Sequence, residues 1–427
     1  CQQWQAGLWF LVHRPQDFQA QLTRLLDSKP ASFDRRVVRT YVRLAPWLML
    51  SAGSMAVVFP TLRVLAIALG LIHLIVVLAF GREIERTAGQ VERTGQLLNA
   101  LAASFRLLER RSWQSSGGQT LQATVSKADG QAASVAVNAL ADIADRLDYR
   151  LNMLVAAVLR MVALWDFRQV FAVADWRRQH RDGLLDALDA VAEAEALVSL
   201  ATLARNHPHW TFPVVVGSTE RVMEATGLAH PLLTEEQAVP NDYRMHGHRV
   251  ALITGSNMAG KSTFLRTVGS NAVLAYCGAP VCAGRLRLSV FRLVTYMRIA
   301  DSLQEGTSTF KAELERIQQV LQTVRRHADA YFLIDEMLRG TNSTDKYLGS
   351  KAIIEQLIRD GGAGLVATHD LQLARLAETW PGVLANFHFD IQVEEGEMRF
   401  DYRLKPGECT VFNASLLLKR IGIDPTA

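Results

Sequence analysis

Several signals that would place a chain quickly are scarce in this one. Cysteine occurs four times in 427 residues, at Cys1, Cys277, Cys282 and Cys409, and no two form a C-x-x-C pair. That excludes a disulfide framework and leaves small buried thiols in a reducing compartment as the expectation. Charge of one sign is not in excess either: 46 basic against 42 acidic side chains give a net +4, too mild to argue for nucleic acid by itself. There is no internal repeat and no low-complexity tract. The first residue is not Met and no signal-peptide pattern follows it, so the chain is expected to lack its true N-terminus. What is abundant is apolar residues, 49% of the chain, ample for two or three domains with real cores.

The most informative stretch is Gly255-Ser256-Asn257-Met258-Ala259-Gly260-Lys261-Ser262-Thr263. A short apolar run, Val250 to Thr254, precedes it and a helical pattern opens at Thr263. Strand, glycine-bounded loop and helix are the context that makes G-x-x-x-x-G-K-[ST] a phosphate site. The glycines let several backbone N–H groups face one anion, and the helix N-terminus adds its positive end. Lys261 is expected to reach the terminal phosphates of ATP, and the Ser262 hydroxyl to ligate Mg²⁺.

Downstream, Tyr331-Phe332-Leu333-Ile334-Asp335-Glu336 reads as a buried strand with two acids at its C-terminal end, where α/β sheets place ligands. Asp335 is the second expected magnesium ligand, and Glu336 is positioned to orient or deprotonate the attacking water. Leu365 to Thr368 is a further strand ending in His369, whose neutral imidazole can contact the γ-phosphate or the water. Gly306-Thr307-Ser308-Thr309-Phe310 precedes a charged amphipathic helix, Lys311 to Arg326, and offers a second anion-binding helix end. With one such end already present, this one suggests a site completed across a dimer, Ser308 facing the partner's γ-phosphate.

The first half reads differently. Residues 1–40 carry an amphipathic helical pattern (Trp4, Leu8, Leu11, then Phe18, Leu22, Leu25) broken at Lys29-Pro30. Leu44 to Phe59 carries no charge, Pro60-Thr61-Leu62-Arg63 reads as a turn, and Val64 to Phe80 again carries no charge. Each run falls a little short of the roughly 20 residues that span a bilayer. Arg35, Arg36, Arg39 and Arg43 flank the entrance and Arg82 and Arg86 the exit, which would leave both ends in the cytoplasm. A membrane hairpin through residues 44–80 and a hairpin buried in a soluble core are both open; the all-round apolar character favours the first. From Glu83 to Asn206 three long helical regions follow, to about Arg111, from about Ala132 to Trp165, and from about Arg181 to Arg205, with no catalytic constellation among them. Short β-type runs begin after Pro213 and alternate with helices, the pattern of an α/β domain with a mainly parallel sheet. The expected organisation is an N-terminal helical segment (1–40), a helical hairpin (41–82), an all-α lever or core region (83–212) and a P-loop ATPase domain (213–427).

Taken together, Gly255–Thr263, Arg298–Phe310, Leu333–Asp345 and Ala367-Thr368-His369 resemble the ATPase domain of the MutS mismatch-repair family, a branch of the ABC-type ATPases. His230-Pro231-Leu232-Leu233 and Pro240-Asn241-Asp242 match its lead-in, and Ala194 to Ala201 resembles its lever region more weakly. The resemblance implies a head-to-tail homodimer with two composite ATP sites, Ser308 acting in trans, Asn257 contacting nucleotide and Asn241 near the adenine. It also implies coupling to DNA. The chain departs from the family at Ser256 and Ala259, where Pro and Gly are usual; both replacements are small, so nucleotide binding is expected to survive. It carries no Phe-x-Glu wedge motif, and the apolar hairpin stands where the mismatch-reading domain would, so mismatch recognition itself is not expected. Two functions follow: a MutS-like ATPase coupled to DNA, or a membrane-tethered mechanochemical ATPase acting on a protein or envelope partner. The expected location is the cytoplasmic face of the plasma membrane, or otherwise the cytoplasm. Glu336 argues against a third reading, a non-hydrolysing nucleotide switch.

Overall fold

The computed structural model describes residues 18–149, 152–217, 221–256, 258–297, 309–338, 342–394 and 397–409. The chain falls into two compact units, Cys1–Ser199 and Leu200–Ala427.

The first unit is helical. Its elements are α1 (Phe18–Leu26), α2 (Arg36–Val58), α3 (Arg63–Ala79), α4 (Gly81–Arg110), α5 (Ser116–Ser126), α6 (Ala133–Asp148), α7 (Met153–Ala163) and α8 (Trp165–Asn206). In α6, Ala133, Ala136, Val137, Leu140, Ile143, Ala144 and Leu147 recur at spacings of three and four, so one stripe is buried. That stripe packs with Leu98, Leu101, Phe105 and Leu108 of α4 and with Trp176, Leu184 and Ala187 of α8 in one core.

Helices α2 and α3 are joined by a single turn, Pro60–Leu62. At the tip, Arg63 Nε donates to the Ala56 carbonyl at 3.1 Å. The two helices are long and apolar enough to cross a membrane, at 23 residues for Arg36–Val58 and 20 for Pro60–Ala79, and only 17% of each apolar window is buried. Their large side chains therefore face outward, among them Trp47, Val57, Val64, Leu65 and Ile75. Polar groups within the pair find internal partners: the Ser51 and Ser54 hydroxyls donate to the carbonyls of Leu48 and Leu50 at 2.9 Å each. At the open end Phe33 packs against the rings of Phe80, Phe167 and Phe171, with centroids 5.3, 4.4 and 5.8 Å away. Arg39 pairs there with Asp34 and, through two 2.8 Å bonds, with Asp175 of α8.

Two helical expectations change. The stretch from Ala132 to Trp165 is two helices rather than one. Leu164, at φ 48°, closes α7 in the left-handed conformation, and Asn152 caps its start by accepting from the Val155 N–H. The helix expected from Arg181 begins instead at Trp165 and runs unbroken for 42 residues, about 63 Å. The polar segment that hid its first half is held by ion pairs such as Arg181 to Asp27 at 2.7 Å.

The second unit is built on two sheets. The strands are β1 (Val214–Val216), β2 (Met223–Leu228), β3 (Asn241–Arg244), β4 (Val250–Gly255), β5 (Arg285–Ser289), β6 (Arg292–Tyr296), β7 (Ala330–Asp335), β8 (Ala363–Ala367), β9 (Leu384–Glu394) and β10 (Glu397–Pro406). Helices α9 (Lys261–Tyr276), α10 (Thr309–Arg326) and α11 (Ser343–Arg359) intervene. The six-stranded sheet has the order β10-β9-β4-β8-β7-β6, parallel except for β10 at the edge. Every residue of β4, β7 and β8 is buried, because helices cover both faces. Alternation along the strands sends Ala251, Ile253, Leu333 and Leu365 toward Phe264, Leu265 and Val268 of α9. The intervening Val250, Leu252, Phe332 and Val366 meet Ile317 and Val320 of α10 and Ile354 and Leu357 of α11. The second sheet, β1-β5-β2-β3, is mixed, with antiparallel pairs on both sides of β2, and was not foreseen.

The thiols also differ from expectation. Cys409 is buried, Cys282 is partly covered and Cys277 is exposed, because it lies at the end of α9 rather than on its packed face.

Candidate nucleotide site

Strand β8 lies between β4 and β7, so the C-terminal ends of three adjacent strands open on one place. The ladder continues past those ends: the Glu336 N–H donates to the Ala367 carbonyl and the Thr368 N–H to that of Ile253, each at 3.0 Å. Asp335, Glu336 and Thr368 are thereby held by backbone pairing at the strand ends.

The loop after β4 owes its shape to its two glycines. Gly255 has φ 138°, and a Cβ there would lie 2.6 Å from the Phe389 carbonyl oxygen; Gly260 has φ 110° where α9 begins. Only glycine meets both demands without strain. Ala259 is buried beneath the loop, while Met258 is exposed at its tip with φ 71°. Ser256 and Thr263 lie in the same turn and the first turn of the helix, so the N–H groups opening α9 face the strand ends.

Lys261 is only 4% exposed, and its ammonium donates to the carbonyls of Gly255 and Ser256 at 2.7 Å each. Burial lowers its pKa, opposed by the nearby Glu336 and Asp335 carboxylates. Asp335 is 3% exposed, and its Oδ1 accepts from the Ser262 hydroxyl at 2.9 Å. These two oxygen donors lie side by side at the helix N-terminus, a hard-ligand pair of the kind Mg²⁺ takes together with substrate phosphates. Among the described residues no group of three or more His, Cys, Asp or Glu could hold a metal ion unaided. A magnesium site of this type needs none, since phosphates and water complete the shell.

Glu336 and Leu338 adopt φ 49° and 56°, so the chain turns sharply after β7 and carries the Glu336 carboxylate over the site. Left-handed non-glycine residues of this kind cluster where function holds strain in place. His369 Nδ1 lies 3.3 Å from Glu336 Oε1, and its Nε2 lies 3.3 Å from Lys346 Nζ. An ammonium can only donate, so Nε2 is the acceptor and Nδ1 carries the proton given to the carboxylate. Lys346, on α11, is a site residue that sequence reasoning missed. Its chain neighbours gave no hint, because its contact with His369 depends on how α11 docks. Asn342 caps the start of that helix, accepting from the Asp345 N–H at 2.9 Å.

Beside the loop opens a cavity of about 450 Å³, lined mainly by apolar groups including Leu233, Val239, Phe264, Phe389 and Tyr402, with His230 and Thr267 among its polar ones. Asn241 lines it too, with its amide committed elsewhere: Nδ2 donates to the Val239 and Tyr402 carbonyls at 3.1 and 3.0 Å, and Oδ1 accepts from the Leu404 N–H at 2.6 Å. Asn241 thus ties β3 to β10 and shapes the cavity wall. Two of the expected site residues, Asn257 and Ser308, lie outside the described residues.

With this geometry in view, comparison with known proteins gives one consistent result. Residues 251–415 match MutS domain V. The chain is 34% identical over 233 residues to the DNA mismatch repair protein MSH3 of Phaeosphaeria nodorum, covering 52% of this chain and 20% of that protein. It is 35% identical over 238 residues to DNA mismatch repair protein MutS of Thermus thermophilus, covering 55% and 28%. A third relative, DNA mismatch repair protein MutS of Brevibacillus brevis, is 32% identical over 278 residues, covering 63% and 31%. The second unit carries a MutS domain V. The matches span less than a third of the length of these relatives. MutS domain V is the ATPase domain of the MutS family, and the α/β unit described above is its counterpart here.

Proposed function

We propose that this chain binds and hydrolyses ATP with Mg²⁺ at the strand ends of β4, β8 and β7. The observation that carries the reading is the Ser262–Asp335 hydrogen bond of 2.9 Å beside the buried Lys261. It joins the first turn of α9 to the end of β7, two strands from β4 in the sheet, and sets two oxygen donors side by side at that helix start. Lys261 exchanges its two loop carbonyls for β- and γ-phosphate oxygens. Ser262 and Asp335 would hold Mg²⁺, which would supply charge neutralisation at those oxygens. Glu336 orients the attacking water and takes its proton as the water oxygen bonds to the γ-phosphorus; the bond to the leaving ADP breaks, releasing phosphate. His369, neutral and proton-bearing on Nδ1, holds the carboxylate in place. The 450 Å³ cavity beside the loop suits the nucleoside, its apolar walls covering a base.

A second copy of the chain, presenting Ser308 to the γ-phosphate, completes the site, and the cycle of closing and opening is coupled to DNA. Supporting the DNA coupling are relatives named DNA mismatch repair proteins. Binding through phosphate contacts falls steeply with salt. Filter binding of duplex and branched DNA at low salt, with and without ATP, tests this; absence of affinity in both conditions removes DNA from the proposal.

One observation favours a different coupling, to a membrane. The α2–α3 pair has spanning length, is exposed along its apolar length, and carries Arg36, Arg39, Arg43, Arg82 and Arg86 toward its open end, with Arg63 alone at its tip. On this reading the ATPase is tethered to the cytoplasmic face of the plasma membrane and works on a protein or envelope partner. Fractionation of native cells with a carbonate wash separates the two: a protein extracted by the wash is not an integral membrane protein.

A further inference from the structure

We propose that α7 is a third lipid-embedded element, a short helix that enters the bilayer beside the α2–α3 hairpin and returns to the side it left. The proposal rests on the membrane-tethered reading of that hairpin and extends it to a segment of the chain far away in sequence.

Helix α7, Met153–Ala163, is apolar except for Arg160. Its 11 residues span about 16 Å, roughly half the hydrocarbon thickness of a bilayer. Helices of this length and composition are core elements or partly inserted segments. A core helix is covered, yet Met153, Leu154 and Val158 are 82, 79 and 61% exposed. These exposed side chains continue the apolar surface of the hairpin, because α7 packs on both hairpin helices. At Gly70 of α3 the three helices come together: a Cβ there would lie 3.4 Å from Met49 Cε of α2 and 3.7 Å from Met161 Cβ of α7. Small residues at such crossings let helices approach without a hydrophobic driving force between them.

Polar groups at this junction are paired as a water-free setting requires. Met161 O is one of the last carbonyls of α7, which a helix leaves without an intrahelical partner. It accepts from Nδ1 of His73, at 2.8 Å, and His73 Nε2 accepts from the Tyr41 hydroxyl at 2.6 Å. His73 is 1% exposed, so one imidazole closes a hydrogen-bonded chain through all three helices. At the other end Asn152 Oδ1 accepts from the Val155 N–H at 3.3 Å. Arg160, the one charge, is paired with the buried Asp166 at 2.5 Å. In hydrocarbon, backbone groups without partners are costly, and one such group at each end of α7 has a side-chain partner.

The neck of the segment supplies the last observation. Tyr149, just after α6, and Trp165, which opens α8, stack with centroids 6.2 Å apart and planes at 26°. The chain therefore leaves and comes back at one level, and the two rings at that level are of the types enriched at membrane–water interfaces.

The test uses the full chain with its native cysteines replaced, reconstituted in phosphatidylcholine–phosphatidylglycerol vesicles. Met153→Cys, Leu154→Cys and Val158→Cys are labelled singly with an environment-sensitive fluorophore and challenged with nitroxide-bearing lipids. All three side chains are exposed, so the substitutions leave packing untouched. Leu71→Cys on α3 is the hairpin control and Asp145→Cys on α6 the aqueous one. The proposal expects blue-shifted emission at the α7 positions and quenching several-fold above Asp145→Cys, comparable with Leu71→Cys. Quenching at Leu71→Cys with α7 labels at the aqueous level overturns the proposal and leaves the hairpin reading standing. All labels at the aqueous level overturn both.

Discussion

Replacing Glu336 with Gln isolates the proposed base from the rest of the site. The amide has the same shape, and its carbonyl oxygen can still accept from His369 Nδ1 across the 3.3 Å separation seen for Glu336 Oε1. Lys261 keeps its bonds to the Gly255 and Ser256 carbonyls and Ser262 its bond to Asp335, so the proposed phosphate and magnesium ligands stay in place. What disappears is the ability to take a proton. A positioned general base contributes about 10²- to 10⁴-fold, which is about 3–5 kcal/mol of barrier at 1.36 kcal/mol per tenfold. Glu336→Gln is therefore expected to lower kcat by about that factor while leaving ATP affinity within about threefold, since uniform binding is retained. Single-turnover hydrolysis and an equilibrium titration on the same preparation measure the two quantities. A variant that binds ATP and turns over within about fivefold of the parent, well below the range for a lost base, assigns proton transfer to another group and refutes the reasoning.

Lys346→Met removes the donor to His369 Nε2 and frees the imidazole to change tautomer. A hydrogen bond to a charged group is worth about 1.5–3 kcal/mol, so kcat should fall by about tenfold or more with KM for ATP unchanged, and Lys346→Arg should recover part of it. Gly255→Ala forces a Cβ to 2.6 Å from the Phe389 carbonyl oxygen at φ 138°; strain of this class costs about 1–3 kcal/mol or more, read as a lower denaturation midpoint together with weaker ATP binding. Glu195, on α8, is half-buried with its Oε1 unpartnered, and burial raises its carboxyl pKa above the ordinary 4.5. A carboxyl raised in the folded chain favours folding below its unfolded value and loses that contribution as pH rises through the raised one. Glu195→Gln should accordingly raise the thermal midpoint at pH 7, with the gain closing as pH falls toward 4.5; an equal gain at both pH values would assign the effect to something other than charge.

The parts of the fold that could be read from sequence are those where one physical demand dominates. Strands β4, β7 and β8 are covered on both faces, so they appear as continuous apolar runs, and each ends in a residue whose chemistry stands out: Gly255, Asp335 and, one turn beyond, His369. Strands β9 and β10 mix demands. Their residues include His388, Asp390, Asp401 and Lys405, of which Lys405 and Asp390 pair across the ladder while His388–Asp390 and Asp401–Lys405 pair within their own strands, so these charges obscure the strand pattern. The small mixed sheet escaped for the same reason, with Glu224 bridging to Arg244 at 3.0 Å and to Arg287 at 3.9 Å. In α8, Arg177 to Asp182 interrupts the apolar rhythm and Gly183 follows, yet the helix continues, with Arg181 paired to Asp27 just past α1 and to Asp182, and Arg178 to Asp175. Residues of the site that act through local sequence, such as Lys261 and Ser262, were legible. Lys346 and the Asn241 staple depend on tertiary docking, which no spacing encodes.

The measurement that bears most directly on the central claim is a calorimetric titration of the full chain with ATP in the presence of Mg²⁺, run beside Lys261→Ala. The pocket formed by Lys261, Ser262 and Asp335 predicts saturable binding of one ATP per chain that requires Mg²⁺ for full affinity and is lost in the variant. An absence of ATP binding in the parent chain, or equal binding in Lys261→Ala, contradicts it.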